Sequence, residues 1–72
     1  MALDYEPVDS SMISHVGYDA ERQQLGVRFK RGGTTHVFSD VPQDAYDNLM
    51  SADSVGKHFH ANILPNYKWT AG

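Results

Sequence analysis

The groups in this 72-residue chain that could carry chemistry are four histidines, a scatter of serines and one short basic run. His58-Phe59-His60 has the look of a ligand pair, but residues two apart on a helix point to nearly opposite sides, whereas a shared ion wants spacings of three or four. His58 and Asn62 do share a helical face, yet that pair is no metal signature, so capping or surface roles are the better reading and no metal is expected. Ser10, Ser11, Ser14 and Ser54 sit in no nucleophile motif, and Ser54 is better explained as a helix cap. Gly32-Gly33 joins two strands, not a strand and a helix, so it is no phosphate loop. Neither an enzyme nor a cofactor is expected.

The basic run offers more. Formal charge is −3, nine acids against six Lys and Arg, which argues against broad nucleic-acid affinity. The bases are unevenly placed, however, and four of the six lie between Arg22 and Arg31. Strand alternation puts Arg28 and Lys30 together on the side opposite Phe29, next to Arg31 at a turn. Such a strip could meet phosphates if aromatic rings nearby stacked on bases, and His36 and Phe38 on the following strand are the candidates. Both could equally point into the core, and a merely solvated strip is the plain alternative.

The elements that must position these groups follow from periodicity. Ser11 to Tyr18 reads as a first strand in which Ile13 and Val16 break the period of two, a mismatch that a bulge near Ser14 reconciles. Asp19-Ala20-Glu21-Arg22 is turn chemistry, and Leu25, Val27 and Phe29 then alternate with Gly26, Arg28 and Lys30 in a second strand with one buried face. Gly32-Gly33 permits the positive φ of a tight hairpin, pairing Thr34 to Ser39 with the second strand. The period then changes: from Pro42 to Ala52, Ala45, Tyr46, Leu49 and Met50 fall at helical spacing. Ser54 caps a second helix whose Val55, Phe59 and Ile63 stand four apart, and Pro65 ends it.

The reading is therefore an α+β fold: a three-stranded antiparallel β-meander followed by two short α-helices packed on one face, with Tyr67 and Trp69 folding back on it. Residues 1–9 are expected as a flexible lead-in and 10–72 as a single domain, because a chain this short cannot bury two cores. Phe59 is expected at the core centre, Gly17 at the first strand's turn or bulge, and Gly56 where the second helix approaches closely. With no cysteine, a reducing compartment is expected, and cytoplasm is the default. The stretch Met1 to Pro7 has acids where a signal peptide has bases, and no apolar run approaches the roughly 20 residues needed to cross a bilayer, so no membrane is expected.

The spaced residues Ser10-Ser11, Val16-Gly17-Tyr18-Asp19, Leu25, Phe29, Gly32, Val41-Pro42, Tyr46, Leu49, Ala52, Ser54, Gly56, Phe59, Ile63 and Tyr67 together resemble the KTSC domain over about residues 10 to 68. That family is a short bacterial and phage module, found alone and at the C-terminus of some lysyl-tRNA synthetases. The resemblance implies a fold and no assigned function, and its company in a tRNA enzyme suggests RNA. The chain departs from the family pattern in having His36-Val37-Phe38 where aromatic-x-aromatic is usual, Leu64 at an often basic position and His60 for an Asn. Two functions stay open: weak binding of RNA or single-stranded DNA through Arg28, Lys30, Arg31, His36 and Phe38, and a protein-interaction module or homodimer using an exposed strand edge.

Overall fold

The computed structural model describes residues 3–71 of the chain. Its elements are β1 Tyr5–Pro7, β2 Ile13–Asp19, β3 Gln24–Phe29, β4 Thr35–Phe38, α1 Gln43–Met50, α2 Val55–His58 and β5 Trp69–Ala71, with a π-helical turn Phe59–Ile63 continuing α2. The fold is α+β. The expected meander is present as β2, β3 and β4, but the sheet has five strands, antiparallel throughout and in chain order. Within the stretch expected as a lead-in, Tyr5–Pro7 pairs with Gly17–His15, and Val8 N–H donates to the Ser14 carbonyl. At the other end Trp69–Ala71 pairs with Phe38–His36. Residues 1, 2 and 72 of the expected lead-in and domain lie outside the described residues.

The register of β2 against β3 shifts between Ile13 and His15, so Ser14 is the extra residue of a bulge. That shift lets Ile13 and Val16 both face the core despite their odd spacing, and each is fully buried. Asp19 Oδ1 accepts from the Glu21 and Arg22 N–H groups to close the first turn. Gly32 and Gly33 hold φ +77° and +63° in the second, where Phe29 N–H donates to Thr34. Pro42, expected at the first helical position, is instead the extended cap residue just before α1, and its carbonyl accepts from Ala45 N–H. Ser54 caps α2 by accepting from Lys57 N–H at 3.3 Å. Leu64 N–H reaches back to the Phe59 carbonyl in the wide turn, which the chain leaves at Pro65, a residue with no N–H to extend it.

Residues directly opposite across a ladder share a face. One face therefore carries the rows Tyr18–Leu25–Phe38–Trp69 and Val16–Val27–His36–Ala71, and the other carries Tyr5–Gly17–Gly26–Val37–Thr70 and Pro7–His15–Arg28–Thr35. The helices cover the first. Phe59 sits at the centre of the core with its ring edge-on to Phe29 at 5.6 Å and Phe38 at 5.5 Å, among Val27, Leu49, Val55 and Ile63. Phe29, expected on the same buried face as Leu25 and Val27, lies on it opposite Ile13 but is only half-buried at the sheet's end. Tyr18 stacks on Tyr46 at 4.8 Å, and its hydroxyl donates to the Val41 carbonyl at 2.6 Å, fastening the entry to α1 onto the sheet.

The second face is covered differently. Gly17 and Gly26 stand side by side, and the chain Leu3 to Tyr5 lies over them: a Cβ on Gly26 would overlap the Tyr5 ring, and one on Gly17 would come 2.9 Å from the Asp4 carbonyl oxygen. Gly17 thus answers to the close approach of the N-terminal chain and not to a turn or to the bulge, which lies at Ser14. Gly56 does admit a close approach, with Met12 Cε and Ser10 Oγ within 3.2 Å of where its Cβ would be.

Three outcomes follow from this packing. Phe59→Ala should cost about 3 to 5 kcal/mol, read as a lower denaturant midpoint; a midpoint near wild type would contradict the central placement. Gly17→Ala meets fixed backbone and should cost about 1 to 3 kcal/mol, more than Gly26→Ala, which meets only the movable Tyr5 and Leu3 side chains; equal losses would show that the N-terminal chain does not lie as described. Burial raises the Tyr18 hydroxyl above its ordinary 10.0, with Asp47 and Asp19 adding to it, and burial likewise raises Tyr46 and Tyr5. Stability held below about pH 10 should therefore fall as pH rises through the raised values, and Tyr18→Phe should reduce that alkaline loss in pH-dependent thermal melts.

Candidate functional site

The five residues singled out by sequence do not form one patch. Phe38 is 0% exposed, because its register with Leu25 and Trp69 turns it to the helix-covered face, so it has no free ring for stacking. His36 lies on that same face opposite Val27, half-buried between Phe29 and Trp69, whose rings meet it edge-on at 5.0 and 3.9 Å. Arg28 is exposed on the opposite face, between His15 and Thr35. Lys30 and Arg31 are exposed in the loop beyond β3, outside the register of either face.

The hairpin end nevertheless gathers Arg28, Lys30, Arg31 and His36 around two hollows. On the side of the second face, beyond the N-terminal chain, Arg28 and Lys30 line a depression of about 610 Å³ with His15, Ser14 and Pro7. On the other side Lys30 and Arg31 line an open cavity of about 740 Å³ with Met12, Phe29, Thr34 and His36. Lys30 borders both, so the hairpin carries positive charge on either side of one edge. No carboxylate lines either hollow, and an approaching anion meets no fixed negative charge there. Arg28 also opposes the effect of burial on the Tyr5 hydroxyl, which places its guanidinium charge close to the N-terminal chain.

The exposed rings are ones that sequence reasoning did not assign to stacking. Trp69 is 44% exposed and Tyr5 36%, whereas Tyr67 is packed against the core. Trp69 stands on the edge strand β5 against His36, beside the cavity that Lys30 and Arg31 line. A three-residue strand after the last helix has no periodicity to announce it, so nothing in the sequence placed this ring beside the hairpin.

A third hollow, about 570 Å³, runs between the loop Ser10–Met12 and α2, but Asp9 and Asp53 share it with Lys57 and His60. His60 Nε2 rests 3.2 Å from Met12 Sδ, and His58 Nδ1 lies 3.4 Å from Asn62 Nδ2. Among the described residues no three His, Asp or Glu side chains group closely enough to hold a metal ion. No helix there is long and apolar enough to cross a membrane.

Comparison with known proteins adds the family. The chain is 36% identical over 66 residues to a protein of Tsukamurella paurometabola described only as a protein, covering 92% of this chain and 97% of that one. It is 35% identical over 60 residues to an uncharacterized protein of Stutzerimonas stutzeri, covering 83% of each. The crystal structure of a KTSC domain protein from Yersinia pestis superposes with a TM-score of 0.92 over 99% of both chains at 34% identity. The model of the KTSC domain matches residues 9–67, spanning every core residue from Ile13 to Ile63 and the hairpin between them. The chain belongs to the KTSC domain family.

Proposed function

We propose that the chain is a non-enzymatic, cytoplasmic binding module that takes single-stranded RNA or DNA weakly across the end of the β3–β4 hairpin. The observation that carries this reading is the exposure of Arg28, Lys30 and Arg31 within four consecutive residues, half of the chain's Lys and Arg, on two sides of one edge free of carboxylates. Phosphates would lie along that edge, and the exposed indole of Trp69 supplies a face on which a base can stack. The occurrence of related domains in lysyl-tRNA synthetases points the same way. A second reading, docking of a protein strand on β5, draws on the exposure of Trp69, Thr70 and Ala71 at the sheet edge.

With two or three phosphate contacts on a single strand, log affinity against log salt should fall with a slope of about −1.4 to −2.1, so binding is strong only at low salt. Arg28→Glu with Lys30→Glu should nearly abolish binding of short labelled RNA and leave the thermal midpoint unchanged, since both side chains point away from the core. Indole fluorescence of Trp69 should be quenched as a base stacks on it. If millimolar RNA and single-stranded DNA leave the amide shifts of β3, β4 and Trp69 unmoved, nucleic-acid binding is excluded and docking at β5 moves ahead.

A further inference from the structure

Side chains on a strand ordinarily stand off the sheet, but that of Tyr5 lies across it. Tyr5 opposes Gly17, Gly17 opposes Gly26, and Tyr5 Oη and Cζ are the atoms nearest to where a Gly26 Cβ would stand. The ring therefore reaches past one whole strand, a reach for which two neighbouring residues without a Cβ make room. Its inner side rests on those glycines, and the residue is still 36% exposed, so the outer side of the ring meets solvent. Beside it His15, Arg28 and Thr35 stand in one row across β2, β3 and β4. With Tyr5 they line a hollow of about 450 Å³ that no carboxylate borders. Ser14 Oγ meets His15 Nδ1, leaving Nε2 as the ring nitrogen that can meet a ligand.

An aromatic ring laid on a sheet, with a guanidinium, an imidazole and a hydroxyl next to it, has the parts that one nucleotide requires. Stacking on an aromatic ring is open to every base, and the planar fork of Arg28 matches two oxygens of a phosphodiester. We infer that the hollow on the second face binds one nucleotide of a single strand, its base stacked on Tyr5 and its phosphate on Arg28. The inference rests on the reading of the hairpin as a nucleic-acid contact and makes it more specific, because it puts a base platform on the side of the sheet away from Trp69. Arg28 also borders the depression it shares with Lys30, so a strand seated on Tyr5 continues onto the hairpin edge. Filling the glycine trough is the plain structural role of Tyr5, and that role makes no demand on a base.

The test titrates short uridylate and thymidylate strands, and an abasic strand of the same length, into the full chain at low salt. The base-bearing strands should bind more tightly than the abasic one. Tyr5→Leu should lower affinity for the base-bearing strands about tenfold and leave the abasic strand unchanged, while Tyr5→Phe keeps the wild-type values. Arg28→Gln should weaken all three alike. In the wild-type chain, where no substitution can disturb β1, the Tyr5 ring protons should move upfield with the base-bearing strands and stay in place with the abasic one. Ring protons that do not move, or a Tyr5→Leu loss that is equal with and without bases, overturn the inference and leave the proposed function standing. If Tyr5→Leu acts as expected while Lys30→Gln with Arg31→Gln changes nothing, the Tyr5 site stands and the hairpin edge falls. Failure of every strand to bind rejects both.

Discussion

The edge-on contacts of the Phe59 ring with Phe29 and Phe38 hold this domain together. They are the junction between the second helix and the sheet, and the remaining core residues are arranged around that junction. Such aromatic pairs add about 0.5 to 1.5 kcal/mol each beyond the area they bury, a sizeable share in a domain of this length. The Ser54 cap sets where the helix begins, and thereby which residue meets the sheet. The wide turn from Phe59 to Leu64 keeps Phe59 and Ile63 both inward while it redirects the chain toward β5.

Covering both faces of so small a sheet takes two different devices. Helices, with their bulky apolar residues, close one side. On the other, Gly17 and Gly26 leave a trough shallow enough for a single extended segment and one tyrosine ring to fill. What remains uncovered is the end of the sheet at the β3–β4 turn, where Lys30 and Arg31 lie beyond the last ladder pairs. The free charge and the open cavity coincide there because neither device extends that far.

Most of the fold could be read from spacing. Leu25-Gly26-Val27-Arg28 alternates as a strand must, the mismatch of Ile13 and Val16 placed the bulge at Ser14, and Ser54 with Val55, Phe59 and Ile63 marked a capped helix. The outer strands could not be read so. Three residues span too little to show a period, Tyr5-Glu6-Pro7 includes a residue with no N–H, and Trp69-Thr70-Ala71 owes its pairing to a turn that brings it back from the helix. The site was harder still. Whether His36 and Phe38 face inward depends on register, which a strand's own residues do not determine when both alternating sets contain apolar side chains. Pairing with Val27 and Leu25 puts both inward, and the ring left for a ligand on that face is Trp69, 33 positions further along the chain from His36.

The strand order bears on how such a chain assembles. From β1 to β4 each strand pairs with its sequence neighbour, so every ladder closes across a short loop and the contact order of that part is low. β5 alone must span both helices before it can pair. The hairpins can therefore zip first, the helices dock on them, and the β4–β5 ladder form last. By the same reasoning it is the first to fray, an ordering that native-state hydrogen exchange resolves. The exposed tryptophan thus rides on the strand that this ordering expects to open first, so its surroundings should follow a local opening equilibrium more than the global stability of the domain.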